Sequence, residues 1–226
     1  MKIDVITLFP KMFESPFNES MIKRAVDNKI LKLKIHNLRD WALDSYGTVD
    51  DKPFGGGVGM LIRPEPVYKA LEEVKKEKVK KRRIVLMSAK GKRLTQKKVE
   101  ELSKYDNLVL LAGHYEGFDQ RIVDHMVDEE ISIGDYVLTG GELASMVVVD
   151  AVSRLMPGVL GKDESSQVES WSEVEIDNKK VRGPEYPQYT RPREFMGHEV
   201  PEVLLSGDPK KIKEWQDKKM KERLEK

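Results

Sequence analysis

The chain has 226 residues, 39% hydrophobic and 35% charged, with a formal net charge of +1 and no cysteine. The absence of cysteine excludes disulfide scaffolds, thiolate nucleophiles and cysteine-ligated zinc, and it favours a cytoplasmic address. No run approaches transmembrane length, MKIDVITLF lacks a secretory cleavage pattern, and the four histidines show no metal-ligand spacing, so no membrane association is expected.

MKIDVITLF reads as a first strand that Pro10 stops, and Ser15-Pro16 offers a helix start with Phe17, Met21, Ile22, Ala25 and Val26 at helical spacing. LKLKIHNL alternates, which turns Leu31, Leu33, Ile35 and Leu38 toward a core. Tyr46 to Met60 holds five glycines and a proline, too many for a regular element, and Asp50 and Asp51 beside it suit a binding loop or a hairpin tip. Pro64 opens a helix through Val67, Leu71 and Val74. Residues 75–83 then carry seven cations against one glutamate, a pattern that usually marks a solvated face and otherwise a phosphate-tracking surface.

RIVLMS predicts a strand from Arg83 to Ser88 with Gly91 in its exit loop, and TQKKVEELSKY a helix capped by Thr95. NLVLLA is a strand, Ile122, Val123 and Met126 mark a helix, and EEISI is a strand. The alternation argues for an α/β domain with a mainly parallel sheet and flanking helices. A helix from Gly141 to Leu155 should bury Leu143, Met146, Val147, Ala151 and Leu155, with Arg154 at its dipole-favoured end. From Pro157 the chain turns polar and acid-rich, as a linker would. Asp208 and Pro209 start a charged helix containing Trp215, which with Phe195, Val203, Leu204 and Leu205 suggests a small helical second domain.

Two glycine-punctuated loops follow strands. GHYEGFDQR starts at Gly113, and SIGDYVLTGGELA runs from Ser132 to Ala144, with Gly140 and Gly141 at a helix start. Neighbouring loops of this kind form the crevice where open α/β sheets bind ligands. The glycine spacing is not a dinucleotide or phosphate fingerprint. His114, beside Tyr115, reads as a loop hydrogen-bonder.

These loops, with ITLFPKMF, DDKPFGGGVGM, DAVSRLMPGVLG, YTRPREF and VPEVLLSGDP, resemble the bacterial tRNA (guanine(37)-N(1))-methyltransferases of the SPOUT superfamily over nearly the whole chain. The resemblance implies a SPOUT domain at 1–160 ending in a trefoil knot, a flexible linker at 161–175 and a tRNA-binding helical domain at 176–226. It implies S-adenosylmethionine held by Leu86, Met87, Ser88, Gly113, Tyr115 and Glu116, and by Ser132, Ile133, Gly134, Asp135, Tyr136, Val137, Leu138, Gly140 and Gly141. It further implies an associated magnesium ion, a tRNA with guanosine at position 37 contacted by Asp50 and Arg154, and a homodimer with shared active sites.

Methylating guanine ring nitrogen 1 needs a base for its proton and a cation for the charge gathering on the neighbouring oxygen. Arg154 matches the family's arginine. Glu169 stands where the family carries an aspartate, and Glu116 matches a carboxylate near the methionyl end of the cofactor. Leu86 stands where relatives often have tyrosine, and Ala89 where they often have proline. The alternative left by Glu169 is a catalytically silent RNA-binding protein of the same fold.

Overall fold

The computed structural model describes residues 1–160, 169–176 and 179–225, with only the backbone of Lys179. The chain divides into two compact units, Met1–Gly161 and Lys162–Lys226.

The first unit runs β1 (Lys2–Thr7), α1 (Glu14–Phe17), α2 (Ser20–Asp27), β2 (Lys32–Asn37), the short β3 (Asp50–Asp51) and β4 (Leu61–Ile62), and α3 (Pro64–Lys75). It continues through β5 (Arg82–Arg93), α4 (Gln96–Leu102), β6 (Asn107–Ala112), α5 (Gln120–His125), β7 (Glu129–Ser132) and α6 (Glu142–Ser153). Five strands form one parallel sheet in the order β2-β1-β6-β5-β7, while β3 and β4 make a separate antiparallel pair. β1 and β6 are buried over their full length; NLVLLA accordingly reads as a nearly continuous apolar run, whereas KIDVIT carries buried Lys2, Asp4 and Thr7 among its apolar residues. One face of the sheet packs Ile3, Val5, Val85, Leu108 and Leu110 against α2, α4 and α6. The other packs Ile6, Ile84, Val109 and Leu111 against α3 and α5.

Three local expectations change. The helix expected after Ser15-Pro16 is two pieces, because the chain turns at Asn18 and Ser20 takes φ of 51°. The strand expected to stop at Ser88 continues to Arg93, with its pairing to β7 shifting register between Met87 and Lys92. A Cβ on Gly91 would lie 2.6 Å from the Glu130 and Ile131 backbone, so this glycine marks close backbone approach inside the irregular strand.

The third change concerns α6. Its buried face is Ala144, Ser145, Val148, Val149 and Val152, whereas Leu143 and Val147, expected in the core, are 52% and 44% exposed. Met146, Ala151 and Leu155 are half-buried. This helix is apolar nearly all round, so periodicity does not single out a face, and the sheet takes the side whose small residues permit close approach.

The second unit contains the antiparallel pair β8 (Glu173–Ile176) and β9 (Lys179–Arg182), the pair β10 (Glu194–Phe195) and β11 (His198–Glu199), then α7 (Glu202–Leu205) and α8 (Pro209–Leu224). As expected, the Asp208 carboxylate caps α8 by accepting from the Lys210 and Lys211 backbone N–H groups. The linker expectation falls mostly on 161–168, outside the described residues. Phe195, at the end of β10, is 66% exposed.

Candidate active site

Because the sheet is parallel, β5, β6 and β7 deliver their C-terminal ends to one edge. A cavity opens there, walled by the residues from Leu86 to Lys90, the GHYEG loop and the stretch from Glu130 to Gly141. Leu86, Met87, Ser88, Gly113, Tyr115, Glu116, Ser132, Ile133, Gly134, Tyr136, Val137, Leu138, Gly140 and Gly141 all line it. Asp135 does not. Its carboxylate pairs instead with Arg93 and is 83% exposed.

The glycines at the end of this stretch are required by contacts within the protein. The Gly141 N–H donates to the Gly113 carbonyl at 2.8 Å, and a Cβ on Gly141 would lie 2.8 Å from the Ala112 Cα. A Cβ on Gly140 would collide with the His114 ring and the Glu142 carboxylate. These glycines let one cavity loop lie directly on the other.

The GHYEG loop is braced from two sides. Tyr115 holds φ of 61°, a left-handed conformation rare outside glycine. Glu116 N–H donates to Met60 O at 3.0 Å and Ile62 N–H to Gly117 O at 2.9 Å, which docks the glycine-rich tract onto this loop. Gly59, at φ of 88°, leaves room for Glu116, since a Cβ there would be 2.5 Å from the Glu116 Cγ. Asp50 sits at the root of that tract, paired across from Ile62. Asp119 caps α5, and the Arg121 guanidinium beside it holds its carboxyl below the usual carboxylate range.

On the other side stands a group that the sequence reading missed. Glu142, 1% exposed at the start of α6, accepts from the Thr7 hydroxyl at 2.6 Å and pairs with His114 Nε2 at 2.8 Å. The Phe9 ring packs against the His114 ring at 4.5 Å between centroids, tilted by 58°. His114 is thus the loop hydrogen-bonder expected. The signal for Glu142 was available as an acidic residue at a helix's first turn, but its burial was not.

The model of the family described as tRNA (Guanine-1)-methyltransferase TrmD matches residues 1–226. Similar curated proteins named tRNA (guanine-N(1)-)-methyltransferase include one from Dehalococcoides mccartyi strain BAV1, 52% identical over 96% of this chain and 85% of that protein. Others come from Anoxybacillus flavithermus and Bacillus cereus strain AH820, each 49% identical over 96% of this chain and 86% of theirs. The chain belongs to the tRNA (guanine-1)-methyltransferase family.

Of the other residues that the resemblance assigns to catalysis, Arg154 belongs to the first unit and Glu169 to the second. Arg154 follows the last turn of α6, whereas the cavity touches the first. Twelve helical residues put about 18 Å between those ends. Glu169 belongs to the second unit, where its carbonyl accepts from both the Ser172 N–H and the Ser172 hydroxyl. A turn at this point leads into β8, with Trp171 at φ of 70°. Of the carboxylates near Glu169 in sequence, Asp163 and Glu164 lie outside the described residues, and Glu173 pairs with Lys180 at 2.8 Å. Among the described residues no group of three or more His, Asp or Glu could hold a metal ion, and no helix is long and apolar enough to cross a membrane.

Proposed function

We propose that this chain methylates ring nitrogen 1 of guanosine 37 in tRNA, taking the methyl group from S-adenosylmethionine. The observation that carries the reading is the cavity itself. In a member of this family, the loops that the resemblance assigns to the cofactor converge at the C-terminal ends of three parallel strands. The lining suits that cofactor, with apolar walls at Leu86, Phe118, Ile133 and Leu138 and Glu116 to face a cationic group. Bound there, it would supply an electrophilic methyl carbon.

The chain's residues supply the rest. Glu169 would take the proton from ring nitrogen 1 and so free that nitrogen's electron pair for the methyl carbon that the cofactor would supply. Arg154 stabilises the charge that gathers on the guanine oxygen. Asp50 contacts the tRNA. Glu116 would help hold a magnesium ion, which needs only one or two protein carboxylates and keeps several waters. The return of the chain from edge strand β7 to the β1 and β6 side, where Glu142 meets Thr7, supports a knotted crossing of this region.

A homodimer with shared sites follows from the same reading. Its support is the length of α6, which keeps Arg154 from its own chain's cavity, and the exposed apolar side chains of Leu143 and Val147, one turn apart on α6. Such a patch on a charged surface favours a partner. In the dimer, one copy's Arg154 and Glu169 would serve the cavity of its partner, and the second unit would bind tRNA.

Transfer of labelled methyl to tRNA transcripts with and without guanosine 37 tests the activity. Labelling only of the guanosine-37 transcript is expected. No labelling of either would favour a silent RNA-binding member. Hybrid dimers pairing a Gly141→Trp chain with a Glu169→Gln chain test the sharing. One complete site is restored if the cavity and base come from different copies, and none if they come from one.

A further inference from the structure

We infer that Glu142 is a positioning residue for the methyl-donor cavity, acting through His114 to lock the GHYEG loop onto the loop that ends at Gly141. The inference rests on the reading of this cavity as the cofactor site.

The first argument is electrostatic. A carboxylate with 1% exposure costs several kcal/mol to desolvate unless charge and hydrogen bonds offset it. Glu142 has the α6 N-terminus, one threonine hydroxyl and one imidazole, and among the described residues it makes no ion pair or hydrogen bond with a lysine or arginine. Packing alone would be served as well by an apolar residue among Ala144, Val148 and Val149.

The second argument is geometric. Glu142 joins three elements. Thr7 closes β1, its oxygen also accepting from the Phe9 N–H at 3.0 Å, His114 belongs to the loop after β6, and Gly140 lies under the His114–Glu142 pair. His114 also closes its own turn, its carbonyl accepting from Gly117 N–H at 3.2 Å, around the left-handed Tyr115. A residue held in such a conformation persists only where its surroundings over-determine it. The Glu142–His114 bond is the side-chain anchor adjoining that residue. Releasing it frees Tyr115 on one wall and Gly140 on the other, and both line the cavity.

The test measures S-adenosylmethionine affinity by calorimetry and steady-state methylation with tRNA saturating. Wild type must bind the cofactor; if it does not, the cofactor reading itself falls. Glu142→Ala should then weaken cofactor affinity on the order of 10–100-fold, as loss of an orienting partner typically does. KM for cofactor should rise accordingly, with kcat at saturating cofactor within about twofold. Glu142→Gln should recover most of the affinity, since its amide oxygen still accepts from Thr7 and its NH2 can donate to the other His114 tautomer. In a double-mutant cycle, His114→Ala should add little to Glu142→Ala, because both remove one linkage. Wild-type cofactor affinity in folded Glu142→Ala, or full additivity with His114→Ala, would overturn the inference. If Glu142→Ala does not fold, Thr7→Val and His114→Gln carry the same test from the other ends of the network, and unchanged affinity in both would be equally fatal to it.

Discussion

Strand β1 begins and ends at a buried carboxylate, and the two are held in opposite ways. At the N-terminal edge of the sheet Asp4, 0% exposed, receives His36 at 2.8 Å, Lys2 at 3.0 Å and Asn107 at 2.8 Å. Asn107 in turn accepts from Arg82 Nε at 2.7 Å, and Lys2 reaches Glu77 at 2.8 Å. At the other edge Glu142 has a hydroxyl and an imidazole. The edge away from the cavity carries charge that is matched by charge; the edge at the cavity carries glycines and a carboxylate that, among the described residues, pairs with no lysine or arginine. Stability and function are thereby separated along a single strand.

The largest effect should come from breaking the matched end. Asp4→Ala takes one of two carboxylate partners from buried Lys2 and leaves the Asn107 amide and His36 without theirs, and should cost about 3–5 kcal/mol in urea unfolding, with cofactor affinity unchanged. Burial acts to raise the Asp4 pKa, but hydrogen bonds from His36, Lys2 and Asn107 outweigh it and hold the carboxyl below its ordinary value. A group depressed in the folded state contributes stability above its unfolded pKa and loses it as pH falls through the folded one. Wild type should therefore lose stability below about pH 4, and Asp4→Asn should flatten that acid limb. For Lys2, burial acts to lower the pKa, while Glu77 and Asp4 raise it above the ordinary value. Its contribution is complete below the unfolded lysine pKa and fades as pH rises through the folded one. A cofactor affinity that fell with Asp4→Ala would erase the contrast between the two edges.

At the cavity end a single methyl group should reverse the pattern. A Cβ on Gly141 would press on the Ala112 and Gly113 backbone and displace one cavity wall. A misplacement of about 1 Å can cost roughly 10²-fold, so Gly141→Ala should lose S-adenosylmethionine affinity by about that factor in calorimetry. Midpoint stability should move less than it does in Asp4→Ala. Wild-type affinity would show that the wall can yield.

How much of this was legible varies with the physics involved. Strands of the central sheet declared themselves because a buried parallel strand has a continuous apolar run, as in NLVLLA. Caps at Thr95 and Asp208 were visible because the chemistry is local: a side-chain oxygen meets a backbone N–H two or three residues on. The glycine loops were legible as a cavity, yet the contacts that demand Gly140 and Gly141 come from residues far off in the chain. Glu142 was hidden for the same reason, since its burial depends on Thr7, 135 residues earlier. The buried face of α6 could not be chosen from a helix apolar on every side. β8 and β9 were lost in an acid-rich stretch because only Val174, Ile176 and Val181 alternate there. Their pairing, Glu173 with Arg182 through Ile176 with Lys179, is a property of two segments together.

The smallest effect should fall on a third carboxylate, Asp119, which sits on the cavity edge but is held as an ordinary cap. It accepts from the Arg121 backbone N–H at 2.9 Å and from the same residue's Nε at 2.8 Å, with its side chain 22% exposed. Its own N–H donates to Ile62 O at 3.0 Å, a bond that survives any side-chain change. Asp119→Ala therefore removes one cap and one half-solvated ion pair, and about 1 kcal/mol of stability is expected to go with it. Asp119→Asn keeps the cap and should recover most of that. Because the GHYEG loop remains tied to Glu142 through His114 and to β4 through its backbone, cofactor affinity in both variants should stay within about threefold of wild type, less than 1 kcal/mol. A larger loss, with the Glu142 network intact, would mean that the loop is held from the α5 side, and the contrast between the two ends of β1 would no longer account for how this cavity keeps its shape.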